Sequence, residues 1–525
     1  MSKFFNKNLA IYLNNNIVVI SIFAVLIILN QIAIFFITDG NPVFTTNDSY
    51  GYYLTEAKNI YRQSSIHDIS KLALNLYFDQ VKLSGYNFEQ IKPYHFPVYS
   101  IYLSLFFYLF DNEFLIIAFS QFLPCLVMLY FSYLIIRNYH NTSQSLVLCI
   151  LGFLCSPLTI FVCDTTAEVF TGALIILSFY LGFFAKKREG WLYYFGFFVV
   201  ISLEVLRIKY LILLPILILI YRLIPSKYTE ETPRIDKKNL IIFLILLIFL
   251  PGIIRFYCYN YLNWHSYNIE ISLLKKDGDV IERLLYSWLN NFVLIFSYHI
   301  IYTYHNLLLL FIFLFGAKYY LKSVYKIFLL KKISRIDVVY FFYFLYFVTI
   351  AQFYIFDGYR MLAGGAIFVL ALFYNNYKSL PHYKSFDFKN LRLELLILLI
   401  IFFILNLSYQ MVRDIASHQA QMRDRTLIIK DFAKKNNVNK IAIQSDSIDK
   451  VFRLPFVHLF DKEVYVYQNW MLRNYCDDFA KYNQDGFRFE LLVFLKEDKI
   501  NCEIIDKYYV LHEVEDFKFY LKKPN

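Results

Sequence analysis

Charge is scarce in this 525-residue chain: Asp, Glu, Lys and Arg together make up only 18% of it. Soluble globular domains carry roughly a quarter charged residues, so this balance excludes a purely water-soluble protein. The seven cysteines form no CxxC pair, and no His/Cys/Asp cluster has metal-site spacing. Cys125, Cys149, Cys155, Cys163 and Cys258 fall in or near apolar segments and read as small buried thiols. Cys476 and Cys502 lie in a polar tail and are free to pair if that tail faces an oxidising compartment. A glycine-rich phosphate loop is missing, and so is any Ser-His-Asp arrangement. The first apolar stretch is too long for a cleavable signal, and no small-residue site follows before Thr38-Asp39.

Hydrophobic residues supply 58% of the chain and aromatics 20%, with a mean hydropathy of +0.45. They come in long runs such as Ile17–Ile37 and Leu240–Pro251. A run of roughly 18 or more apolar residues crosses a bilayer core of about 30 Å. Candidate spans fall at 17–38, 114–136, 145–162, 166–185, 191–206, 208–222, 239–256, 291–316, 338–356, 361–377 and 394–410. The expected fold class is therefore a polytopic α-helical membrane protein of about eleven transmembrane helices. The net charge of +11 does not indicate a nucleic-acid partner, because Lys and Arg cluster in short loops beside the spans.

The stretch Phe96–Phe110 either crosses the membrane or lies at its interface. If it does not cross, the clusters Lys186-Lys187-Arg188, Lys227 to Lys238, Lys318 to Arg335 and Lys378 to Arg392 all face the cytoplasm. The positive-inside rule favours that topology, with the N-terminus inside and the C-terminus outside the cytoplasmic membrane. The chain then divides into a membrane domain at 1–411, which includes the first outer loop at 39–113, and a soluble tail at 412–525. The tail alternates a helical stretch (Arg423–Lys435) with strand-like runs at Lys440–Gln444, Glu463–Gln468, Glu490–Leu495, Tyr508–His512 and Lys518–Lys522. That pattern predicts a small extracytoplasmic α/β domain.

The first outer loop contains Thr46-Asn47-Asp48-Ser49-Tyr50-Gly51-Tyr52-Tyr53-Leu54-Thr55-Glu56-Ala57. Thr46 or Asn47 can cap a helix on which Tyr50, Tyr53, Leu54, Ala57, Ile60 and Tyr61 share one face. This predicts an amphipathic helix on the outer membrane surface, with Asp48 in its first turn. A carboxylate there either complements the helix dipole or does chemistry. Asp164 can cap a helix starting at Thr165-Thr166, and Glu204 can pair with Arg207 three residues on. Arg207, Lys209 and Arg360 stand at span ends, where cations commonly snorkel to headgroups. His95 beside Tyr94 suits an aromatic belt.

The order of these features resembles the GT-C superfamily of membrane glycosyltransferases, among them bacterial relatives of protein O-mannosyltransferases and of the lipid A aminoarabinose transferase. An acidic residue in the first outer loop is followed by Pro93-Tyr94-His95-Phe96-Pro97 and a leucine-rich run. Ser156-Pro157 precedes Asp164-Thr165-Thr166-Ala167-Glu168. Glu204-Val205-Leu206-Arg207 and Asp357-Gly358-Tyr359-Arg360 come later. The resemblance spans residues 1–410 through short motifs. It departs from the family where Tyr94-His95-Phe96-Pro97 replaces a Pro-Pro, and where Tyr359-Arg360 stands in reversed order without a proline soon after.

The resemblance implies transfer of a sugar from a polyprenyl-phosphate donor to a lipid, glycan or protein acceptor at the outer face. It implies Asp48 as the base, with Asp164 and Glu168 orienting the acceptor. A divalent cation held through Asp48 and Asp164 is a further option. Arg207, Lys209 and Arg360 would hold the donor phosphate, and Tyr52, Glu56, His95 and Tyr359 would complete the pocket. Three rivals stand beside this reading, one of them a catalytically inactive scaffold that keeps the fold. A flippase of lipid-linked sugars calls for paired broken helices and mid-membrane charge. A polysaccharide polymerase or ligase usually carries its main outer loop late in the chain.

Overall fold

A computed structural model describes residues 16–43, 98–154, 156, 158–184, 319–329, 333–342, 391–444, 463–467, 489–497 and 503–524. It also describes Tyr53, Leu54, Ala57, Tyr61, Leu217, Tyr221 and Leu345. The chain divides into two compact units. The first comprises Met1–Pro42, Asn112–Tyr257 and Asn268–Arg413, and the second Val43–Asp111, Cys258–Tyr267 and Asp414–Asn525.

In the first unit, α1 (Asn16–Ile37) is a 22-residue helix with no charged residue in either terminal turn. At 1.5 Å per residue it reaches about 33 Å, enough to cross a membrane core. One face, Val19, Phe23, Ile27, Asn30, Gln31 and Ile34, is buried in the unit. The opposite stripe leaves Ile17, Val25, Leu29 and Phe36 exposed, Phe36 by 74%. A continuous apolar stripe open along a whole helix is what lipid contact requires. The helix ends where Asp39 and Gly40 take positive φ (51° and 73°) and the Gly40 amide donates to the Phe35 carbonyl at 2.8 Å. A Cβ at Gly40 would lie 2.9 Å from the Phe35 ring, so both the backbone angle and the space call for glycine.

Helix α3 (Glu113–Ile136) starts at Asn112, whose side-chain oxygen accepts from the Leu115 amide. It runs antiparallel to α1. Phe35 meets Phe114 at 5.1 Å between ring centres, and Phe23 meets Tyr133 at 6.3 Å. Asn141 starts α4 (Thr142–Leu154) by accepting from the Gln144 amide. The single span expected at 145–162 is interrupted instead. Helix α4 stops at Leu154, α5 is one turn (Leu158–Phe161), and an irregular stretch leads to α6 (Ala167–Phe179), which a π-helical turn extends to Phe184. Pro157 accounts for the break, because proline cannot donate to the preceding turn and its ring clashes with it. Helix α6 is interior over nearly its whole length: Phe179 meets Phe342, and Phe183 meets Tyr221.

Helix α7 (319–328) falls in the expected inner loop, and α8 (335–342) begins at its end and runs into the span expected at 338–356. Ser334 caps α8 reciprocally with Asp337, each side chain taking the other's backbone amide. Lys326 on α7 donates to the same carboxylate at 2.8 Å. Helix α9 (Leu391–Lys435) is 45 residues long. The sequence predicted a span ending near 410 and a separate helix from 423, whereas α9 has no break between them. No proline or glycine falls between Leu391 and Lys435 to end it.

In the second unit, α2 (Val98–Ser104) and a 3-10 turn (Leu105–Tyr108) cover part of Phe96–Phe110. Together they measure about 18 Å, short of a roughly 30 Å core. The apolar face expected to lie on the membrane surface packs on this helix in part. Tyr53 is buried edge-on to Tyr99 at 5.1 Å, and Tyr61 stacks on Phe107 at 5.8 Å.

The tail forms a five-stranded sheet in the order β2-β1-β3-β5-β4, from β1 (Lys440–Gln444), β2 (Glu463–Tyr467), β3 (Leu491–Leu495), β4 (Tyr509–Val514) and β5 (Phe517–Lys522). Strand β1 is parallel to β2 and β3, whereas β5 is antiparallel to β3 and β4. A short helix, α10 (Glu503–Tyr508), precedes β4. The end of α9 packs on this sheet through Phe432, which stacks on Phe519 at 4.2 Å with the rings nearly parallel. Helix α9 closes on Asn437 at φ 53°, with Val438 donating to Ala433 and Asn437 to Lys434.

Candidate active site

The interrupted stretch between α4 and α6 carries Asp164, and the first turn of α6 carries Glu168; these are the described carboxylates expected in the site. Asp164 is 0% exposed and Glu168 5%. Carboxylates inside a membrane-spanning unit are costly and serve a functional site by default. Asp164 does not cap α6. The cap position is Thr166, whose side chain makes no capping bond, so Asp164 lies two residues outside the helix. Glu168 sits in the first turn of α6, where the helix dipole favours negative charge.

An irregular backbone at this depth survives only if its carbonyls find donors within the protein. Some bonds are local. Ser156 donates to the Phe153 carbonyl, Thr159 donates to the Ser156 carbonyl, and the Asp164 amide donates to the Phe161 carbonyl. The remainder come from three buried amide side chains on neighbouring spans. Asn30 donates to the Thr159 carbonyl at 2.6 Å, and Gln31 to the carbonyls of Val162 (3.0 Å) and Ala118 (2.8 Å). Gln121 donates to the carbonyls of Asp164 (2.5 Å) and Thr166 (2.8 Å). A carboxamide nitrogen has two hydrogens, and Gln31 and Gln121 each use both. Tyr409 on α9 donates in turn to the Asn30 oxygen at 2.9 Å.

Gln31 lies six residues before the end of α1, and Gln121 eight after the start of α3. Both sit about 9–12 Å in from the same end of the antiparallel pair. The segment holding Asp164 and Glu168 is thus within the helix layer, towards the side where α1 ends and α3 begins. Thr165 and Thr171 add buried hydroxyls, Thr171 donating to the Ala167 carbonyl.

Of the expected site residues, Asp164 and Glu168 are the described ones, both buried. Asp48, Tyr52, Glu56, His95, Arg207, Lys209, Tyr359 and Arg360 lie outside the described residues, as do Cys476 and Cys502. Among the described residues, no group of three His, Cys, Asp or Glu side chains is placed to hold a metal ion. The sequence reading missed Asn30, Gln31, Gln121 and Tyr409. The available signal was an amide inside an otherwise apolar run, which must turn inward to find partners.

These features define a polytopic membrane protein whose buried carboxylates ride on a broken helix. Residues 92–254, which include that segment, match the family model described as dolichyl-phosphate-mannose-protein mannosyltransferase. The fold resembles that of ArnT from Cupriavidus metallidurans bound to undecaprenyl phosphate, at a TM-score of 0.54 and 10% identity, covering 95% of this chain and 99% of that one. It also resembles the Archaeoglobus fulgidus oligosaccharyltransferase tethered with an acceptor peptide, at a TM-score of 0.52 and 12% identity, covering 95% of this chain and 74% of that one. No curated protein sequence matches. The family match is confined to residues 92–254, and the likeness to the two solved structures is one of fold.

Proposed function

We propose that the chain transfers a sugar from a polyprenyl-phosphate donor to an acceptor on the outer face of the cytoplasmic membrane. The observation that carries this reading is the buried pair Asp164 and Glu168 on an interrupted helix, inside the segment that matches a mannosyltransferase family. One fold neighbour is a structure bound to undecaprenyl phosphate, and another is tethered to an acceptor peptide. Both agree with a lipid-linked donor and a separate acceptor. The second unit gathers segments of the first loop, the third loop and the tail. The positive-inside rule puts all three on the outer side, which supports an extracytoplasmic tail.

In this reaction the acceptor hydroxyl or amine attacks the anomeric carbon, forming the new glycosidic bond as the bond from that carbon to the phosphate oxygen breaks. The acceptor proton passes to Asp48, and polyprenyl phosphate leaves. One displacement inverts the anomeric centre. Asp164 and Glu168 orient the acceptor. Arg207, Lys209 and Arg360 neutralise the departing phosphate, and Tyr52, Glu56, His95 and Tyr359 shape the pocket. A divalent cation would need Asp48 together with Asp164, and it would supply charge stabilisation at the phosphate.

A flippase is the second reading, because interrupted helices at membrane depth also build transport sites. The test is sugar transfer from radiolabelled polyprenyl-phosphate sugars in membranes carrying wild type or Asp48→Asn at matched expression. Losing the base lowers turnover by roughly a hundredfold or more. Normal transfer by Asp48→Asn refutes the assignment of the base. Labelled lipid crossing the bilayer without transfer establishes the flippase instead.

A further inference from the structure

We infer that Gln121 is a positioning residue for the site and not only a packing element of α3; this rests on the reading of Asp164 and Glu168 as acceptor-orienting carboxylates. The Nε2 group of Gln121 bridges the carbonyls of Asp164 and Thr166. It thereby ties the residue that carries one carboxylate to the cap residue of the helix that carries the other. Gln121 is itself fully buried, on a helix that its Asn112 cap and its packing on α1 help to hold in place. Asp164 lies between two breaks in regular structure and has no helix to fix its backbone. Two bonds to its peptide groups help to set its direction: its amide to Phe161 and its carbonyl to Gln121.

Asn30 and Gln31 grip the same stretch further back, at Thr159 and Val162. Removing either loosens the approach to Asp164. Removing Gln121 frees the two residues that set the carboxylate's aim. Reacting groups displaced by about 1 Å can lose roughly a hundredfold in rate, so a small rotation of this segment matters more to turnover than to assembly. The donor phosphate is held by other residues, so the loss falls on kcat and not on the donor KM.

The experiment measures kcat and donor KM of the full chain in nanodiscs for wild type, Gln121→Leu and Gln121→Asn. Backbone hydrogen exchange over 158–168 is measured on the same samples. Gln121→Leu, which keeps the bulk and loses both donors, should lower kcat by about ten- to a hundredfold with donor KM within about twofold. Exchange over 162–168 should quicken while 113–120 stays unchanged. Gln121→Asn, one methylene shorter, should fall between the two. A folded Gln121→Leu with kcat within about twofold of wild type overturns the inference. If Gln121→Leu does not assemble, wild-type kcat in Gln121→Asn overturns it equally. Should wild type itself transfer nothing, the proposed function fails, and unchanged exchange over 162–168 would then refute the positioning role by itself.

Discussion

The bond from Tyr409 to Asn30 and the bond from Asn30 to the Thr159 carbonyl form a chain linking α9, α1 and the interrupted segment. The two links should therefore be energetically coupled. Asn30→Ala removes the amide and leaves the buried Thr159 carbonyl without that donor, at a cost of about 1–3 kcal/mol. Tyr409→Phe removes one hydroxyl that donates to a side chain, and bonds of this kind between membrane helices average about 0.6 kcal/mol. Once Asn30 is alanine, the Tyr409 hydroxyl has lost that acceptor, so Tyr409→Phe should cost almost nothing more. The loss in the double variant should then fall about 0.6 kcal/mol short of the sum of the single losses. Unfolding equilibria of the reconstituted protein measured by steric trapping supply all four corners of the cycle. Strict additivity, within about 0.3 kcal/mol, would refute the chain of bonds.

Other parts of the fold give further expectations. Burial pushes the Asp337 carboxyl up, but hydrogen bonds from Lys326 and Ser334 and the Lys326 charge outweigh it and hold the group below the usual carboxylate range. A depressed folded value stabilises at pH above the unfolded value of about 3.9 and is lost as pH falls below it. Thus Asp337→Ala should quicken hydrogen exchange over 333–342 about thirtyfold at pH 7, a loss of about 2 kcal/mol, and the gap to wild type should close in acid. Equal exchange at neutral pH would contradict the cap. Phe432→Ala loses the stacked contact with Phe519 and should weaken the tail by about 2 kcal/mol. Exchange in β4 and β5 should rise while α1 stays protected; a change spread equally over both would refute local docking.

Element positions were legible where one physical signal dominated. Long apolar runs located α1 and α3 to within a residue, because their hydropathy outweighs the few amides they contain. Alternating apolar residues between polar turns located the strands of the tail to within two residues. The reading failed where hydropathy hid a backbone event. Residues 145–162 are apolar enough to pass for one span, yet Ser156-Pro157 ends the helix inside it. The opposite error joined to polarity: residues after 410 become charged, although α9 continues through them because helix propensity does not depend on what surrounds the helix. At the site, the carboxylates were visible as rare charges near span ends. The carboxamides that hold the backbone of their segment were not, because Asn30 and Gln31 on one span and Gln121 on another meet it only through tertiary packing.

The most direct test of the account is the turnover of Asp164→Asn beside wild type, with folding checked by hydrogen exchange over 158–168. Asparagine keeps the size of the side chain and the backbone bonds to Gln121 and Phe161, and removes the charge. The account predicts an assembled protein with turnover lowered by roughly a hundredfold. Turnover within about twofold of wild type would contradict it and leave Asp164 a structural carboxylate.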